Sequence, residues 1–227
     1  MTPTPEEIEQ QYRKSGWGSP LAVPAAVFTI YSFLCFFQCC GFGSAMDATT
    51  ALSFGIIQVI LFIGFFTGAL VLIKRGEQAA GQIYMIFAIA FGGVGGVLAF
   101  LTFGVTGLVA IPVLFVLGVQ SMITYDGFMF GVVNLTIGLY LVAMAPCYIH
   151  GDLLTLDTNI APTIGLLLFG ITGMGLCPAD MVAPLIYAAG VAFLFCGIGG
   201  FIVVANALNA GVATIPGGPV LFPARNK

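Results

Sequence analysis

Six apolar runs follow one another along the chain, at 21–41, 51–73, 80–102, 128–149, 160–177 and 183–208. Each has the length a helix needs to cross a bilayer, about 17–25 residues. In hydrocarbon a helix satisfies its own backbone hydrogen bonds, where no water can do so. The runs therefore predict an all-α integral membrane protein, a six-transmembrane-helix bundle. Charge makes the same point. Only 7% of the 227 residues are Asp, Glu, Lys or Arg, against about 25% in a soluble domain. A seventh apolar piece, 103–120, is shorter and interrupted by Gly104, Gly107 and Pro112. It reads as a re-entrant segment, or part of an extracytoplasmic loop, after the third helix.

The basic residues set the orientation. All six stand at three places, Arg13/Lys14, Lys74/Arg75 and Arg225/Lys227, and Lys and Arg mark the cytoplasmic side. Six spans put the three places on one face, with both termini cytoplasmic, whereas seven would strand the last pair outside. Residues 1–20 then form a cytoplasmic tail, 21–208 the membrane domain and 209–227 a C-terminal tail. The first tail carries Glu6, Glu7 and Glu9 where a cleaved signal would have a basic start. The expected location is the cytoplasmic membrane, multi-pass and in contact with lipid. No basic patch is available to hold a nucleic-acid backbone, so no nucleic-acid partner is expected.

Little in the chain can do covalent chemistry. Cys35, Cys39, Cys40, Cys147, Cys177 and Cys196 lie within or beside apolar runs, with no CxxC spacing, where cysteine behaves as a small buried hydrophobe. The single histidine, His150, excludes haem held by paired histidines within the chain. A metal site needs three or four ligands at suitable spacing, and His150, Asp152 and Asp157 read instead as a solvated cytoplasmic loop. The glycine-rich stretch 92–96 lies in mid-span without the Lys-Ser/Thr of a phosphate loop. No catalytic residue, cofactor or metal is expected.

The expected spans contain no Asp, Glu, Lys or Arg, the residues that proton-driven carriers usually keep in mid-membrane. What remains inside is neutral, including Thr29, Tyr31, Tyr84 and Thr163 and the amides Gln58, Asn134 and Asn206. A hydroxyl in a span usually bonds back to its own helix. An amide is more telling, because leaving it unsatisfied in hydrocarbon costs several kcal/mol. These amides must face partners or a wet path. A neutral polar lining with aromatic collars suits a small solute, gated by an apolar constriction.

The last run carries a stripe of small residues. Ala189, Ala192, Cys196, Gly199, Gly200, Val203 and Asn206 share one side at helical spacing, while Phe193, Phe195, Phe201 and Val204 point elsewhere. Small faces let helices approach closely in lipid, which makes the stripe a packing seam. It also reads as the wall of a narrow path, with Asn206 at its border. The load of 31 glycines suggests close contacts within or between protomers.

Several patches resemble one family. They are Ala189-Gly190, Leu194, Cys196-Gly197, Ala207-Leu208-Asn209 and Thr214-Ile-Pro-Gly-Gly-Pro219 in the last span and tail. To these add Gly68-Ala69 with Ile73-Lys74-Arg75-Gly76 in the second turn, and Ser19-Pro20-Leu21 with Thr29 in the first span. Together they resemble the acetate uptake transporter family, which includes the bacterial succinate–acetate permease. The chain departs from that family in lacking the Asn-Pro of its first signature, its glutamate before the basic turn and its basic residue between helices four and five. The resemblance implies a six-helix protomer assembling as a hexamer. Each protomer would have its own path for acetate or a similar monocarboxylate, narrowed by an aromatic and aliphatic constriction. On helix one the family's constriction phenylalanine falls on Ala26, so the feature is either lost or moved to Phe28. On helix three it falls on Phe87, or on Ala88 with one gap, and the helix-five leucine falls within 163–167.

The expected function is a channel-like transporter of acetate or another small monocarboxylate, with a proton carried as the conjugate acid. Phe28, Thr29, Phe87, Asn134 and Asn206 are the expected path residues. A channel for a neutral solute such as urea or a short amide is the nearest alternative. A non-transporting structural subunit of a membrane complex is the other.

Overall fold

A computed structural model of the chain describes residue 7 and residues 21–40, 48–95, 127–209 and 215–223. The apolar piece 103–120 lies outside the described residues. The described chain is mostly helical and contains no strand. Its helices are α1 (Ala22–Cys39), α2 (Ala48–Lys74), α3 (Gln78–Phe87), α4 (Gly127–Ala143), α5 (Ala145–Tyr148), α6 (Leu153–Gly173) and α7 (Ala179–Leu208). Helix α3 runs on into a π-helical segment, Ala88–Gly95. Three stretches are long and apolar enough to cross a membrane: Ile56–Lys74 of α2, all of α6 and all of α7. Shorter apolar helices lie at Ala22–Phe37, Gln78–Ala90 and Gly131–Ala143.

Local chemistry explains the boundaries. The turn from α2 to α3 is closed by Gly76, whose φ of 85° suits a residue without a Cβ. There the Glu77 amide bonds the Leu72 carbonyl at 3.0 Å and the Gly76 amide bonds Ile73 at 3.0 Å, which satisfies the last carbonyls of α2. Between α4 and α5 the chain breaks because Pro146 has no amide to offer the Val142 carbonyl. Helix α6 starts well before the expected span at 160, because Asp152 caps it. The Asp152 carboxylate accepts from the Thr155 amide at 2.8 Å, and the apolar residues Leu153, Leu154 and Leu156 continue the helix. This corrects the expectation of a solvated loop over 150–159. Asp157 lies on α6, a helix long enough to cross a membrane, and not in a solvated loop.

Packing follows the small residues. Helix α7 packs most extensively on α1, and α6 packs on both α4 and α7, while α2 joins α1 to α3. Neighbours therefore run α3, α2, α1, α7, α6, α4. The two ends of this arc share one core, with Phe28, Phe65 and Phe87 from the first half against Leu141, Leu166 and Phe193 from the second.

The seam on α7 is double-sided. Toward α1, an added Cβ on Gly200 would sit 2.5 Å from Thr29 Oγ1, and one on Gly190 would sit 2.7 Å from Cys39 Cβ. Between these two contacts, Ser32 Oγ donates to Cys196 Sγ at 3.3 Å. Toward α6, Gly199 lies against the Asp157 carboxylate. Phe193 is buried here, lodged over Gly165 with its ring 2.7 Å from where a Cβ would stand. It thus points into the bundle, opposite to the direction read from the small-residue stripe. The stripe missed it because a bulky side chain fits where the facing helix supplies the glycine. Phe195 and Phe201 are exposed, as expected.

Candidate functional site

A cavity of about 330 Å³ opens into the bundle from the end where Lys74 and Arg75 stand. It is lined from α1, α3, α4, α5, α6 and α7 together. Its exposed lining residues, Ala79 and Cys147, lie at that end of the helices, and Phe28, Phe87 and Leu141 are among its buried ones. Sites for small molecules commonly measure about 300–1,000 Å³, so this one suits a solute of a few heavy atoms.

The floor is aromatic. Phe28 of α1 meets Phe87 of α3 with ring centroids 5.1 Å apart and Tyr84 at 6.2 Å. Phe65 of α2 stacks behind them, 6.0 Å from Tyr84 and 6.3 Å from Phe87. These separations are those of favourable edge and offset ring pairs. Helical spacing brings the set together, since Tyr84 and Phe87 are three residues apart on one face of α3.

The walls near the mouth are polar and come mainly from α6. Asp152, Thr155, Thr158 and Asn159 line the cavity with Pro162. Asp152 Oδ1 accepts from both the amide and the hydroxyl of Thr155, the latter at 2.6 Å. Thr158 Oγ1 donates to the Leu154 carbonyl at 2.9 Å, and Asn159 Nδ2 to Thr155 at 2.8 Å. Pro162 removes the amide that a helix would turn toward the Thr158 carbonyl, leaving that oxygen without its usual helical donor on the cavity side of α6. Tyr148 completes the rim, its hydroxyl donating to the Leu141 carbonyl at 2.9 Å. Asp152 is the one charged side chain in the lining, and no Lys or Arg is among the lining residues.

Two of the five residues expected on a path, Phe28 and Phe87, line this cavity; Thr29, Asn134 and Asn206 do not. Thr29 donates to the Ala25 carbonyl at 2.8 Å and faces the α1–α7 seam. Asn134 is fully buried on α4. Asn206 clasps the tail, its Nδ2 donating to the Ile215 carbonyl at 2.9 Å and its Oδ1 accepting from the Ile215 amide at 2.7 Å. Gln58, the remaining span amide, donates to the Tyr31 hydroxyl at 3.4 Å between α2 and α1.

The residues missed by sequence reasoning are Tyr84 and the polar wall on α6. One signal for the wall was present. Asp152 directly precedes the apolar residues Leu153 and Leu154, a placement that starts helices. No cluster of three or more potential metal ligands occurs among the described residues. The six cysteines are free, with Cys35 and Cys196 buried.

No known family model matches the chain, and no curated protein matches it.

Proposed function

We propose that the chain is a channel-like transporter of acetate or another small monocarboxylate, a member of the acetate uptake transporters, with no catalytic role. The observation that carries this reading is that the cavity is lined by Phe87, the helix-three position the family resemblance gives to the constriction, and by Phe28, two residues from the helix-one position Ala26. A small polar chamber stopped by rings fits a solute held by hydrogen bonds and gated by an apolar barrier. In this reading α1, α2, α3 with its π segment, α4, α6 and α7 are the six crossings of a cytoplasmic membrane. The cavity then faces the cytoplasm, and protomers assemble as hexamers. The solute moves with a proton, as its neutral conjugate acid.

One observation favours a second reading. The lining holds no cation and one carboxylate, which suits an uncharged solute such as urea or a short amide at least as well as an anion. Flux into proteoliposomes separates the readings. Radiolabelled acetate entering faster as the external pH falls supports the first, and swelling driven by urea supports the second. Absence of both fluxes in well-reconstituted protein leaves a structural subunit.

A further inference from the structure

The C-terminal segment 215–223 lies against the rim of the cavity. Four attachments hold it. Asn206 on α7 makes the two hydrogen bonds with Ile215 at 2.7 and 2.9 Å. The Leu154 amide, one of the orphan donors in the first turn of α6, donates to the Gly217 carbonyl at 2.8 Å. Val220 pairs with Asp152 in an isolated antiparallel bridge. His150 Nδ1 lies 2.7 Å from the Phe222 carbonyl, and since a carbonyl only accepts, the ring nitrogen donates.

The fit is close at one point. Gly217 sits so near the Asp152 carboxylate that any Cβ there would collide with it. Asp152 and Leu154 line the cavity, as do their neighbours Tyr148 and Thr155. The segment thus grips the corner between α5 and α6, the corner that forms the mouth. Most of the segment's own residues are exposed, including Ile215, Val220, Leu221 and Phe222, so little buried area holds it beyond these bonds.

We propose that residues 215–223 are a latch on the cavity. Docked, the segment fixes the α5–α6 corner over the mouth; undocked, it lets that corner move and widens access to the chamber. The inference rests on the cavity and holds whether the solute is an acid, an amide or neither.

The test reads access to the chamber directly. Ala25 is buried and lines the cavity, so Ala25→Cys supplies a reporter for a membrane-impermeant thiol reagent, with the modified residue located by peptide mass. In that background Asn206→Ala removes two latch bonds and Gly217→Val blocks docking at Asp152. Asn209→Ala serves as the control, because among the described residues its side chain bonds the Ala205 carbonyl at the same helix end and none of segment 215–223. Losing two hydrogen bonds raises the undocked fraction, and with it the labelling rate at position 25, about tenfold or more. The control labels at the parent rate. Equal labelling in the parent and in Asn206→Ala, a change at an exposed clasp that leaves cooperative melting intact, overturns the latch. Gly217→Val must then agree. Flux is read in the same vesicles. Transport without a change in labelling would remove the latch and keep the transporter; faster labelling without any flux would do the reverse.

Discussion

At the floor of the cavity Phe28, Phe65, Tyr84 and Phe87 meet ring against ring, whereas at its mouth Tyr148, Asp152 and Thr155 are each tied by hydrogen bonds. The two kinds of closure yield differently. Ring contacts are shallow and spread over many atoms, so a ring can turn aside and lose little at each step. A hydrogen bond is directional and weakens steeply when bent, so the mouth holds its shape until a bond breaks. A barrier that opens often belongs at the floor, and one that sets the resting geometry belongs at the mouth. The segment 215–223 adds its bonds at the mouth and none at the floor.

The sharpest way to break this contrast is Phe28→Ala. The ring is buried and touches three other rings, and removing it costs about 3–5 kcal/mol by the usual scale for buried phenylalanine. Thermal melting in detergent reads that loss. In vesicles the same change is expected to raise solute flux and to admit larger acids or amides than the parent passes. A folded variant with lower flux would mean that the rings form part of a binding site and not the barrier.

At the mouth the matching change is Asp152→Ala. It removes the cap of α6 and the bond to the Thr155 hydroxyl, a loss of about 1–2 kcal/mol. Faster hydrogen exchange at the Thr155 amide is the direct readout, with solute selectivity unchanged because the floor is intact. Altered selectivity would show that the mouth also sorts solutes.

The floor was legible only in part and the mouth was not. Phe28 and Phe87 were singled out by the family resemblance, because runs that are apolar all round do not say which side faces inward, and Ile30 and Ile89 of the same runs are exposed. Asp152, Asp157 and Asn159 interrupt an apolar pattern, and that interruption resembles a loop until the cap at Asp152 is recognised. Asn206 was legible as an amide needing a partner, but its partner lies nine residues away on a segment with no periodicity. Phe193 was misplaced although helical spacing puts it on the seam, four residues after Ala189 and three before Cys196, and Gly165 of another helix supplies the room for its ring. The π-helical turn at Ala88–Gly95 left no mark, since a run this rich in glycine and small apolar residues has no polar face whose spacing could shift.

The smallest effect is expected from Thr29→Val, which asks whether a path runs along the seam instead of through the ringed floor. Thr29 is buried, and its hydroxyl is spent on the Ala25 carbonyl one turn back, a bond that contributes little to a helix. Valine keeps the branched shape that Gly200 accommodates, with the Thr29 oxygen only 2.5 Å from where a Cβ at Gly200 would stand. Stability should change by about 1 kcal/mol or less, and flux should match the parent at every solute concentration. A large fall in flux with unchanged melting would place a solute contact at the α1–α7 seam. The barrier would then include Gly200, which both lines the cavity and touches Thr29, and the rings would form one side of it.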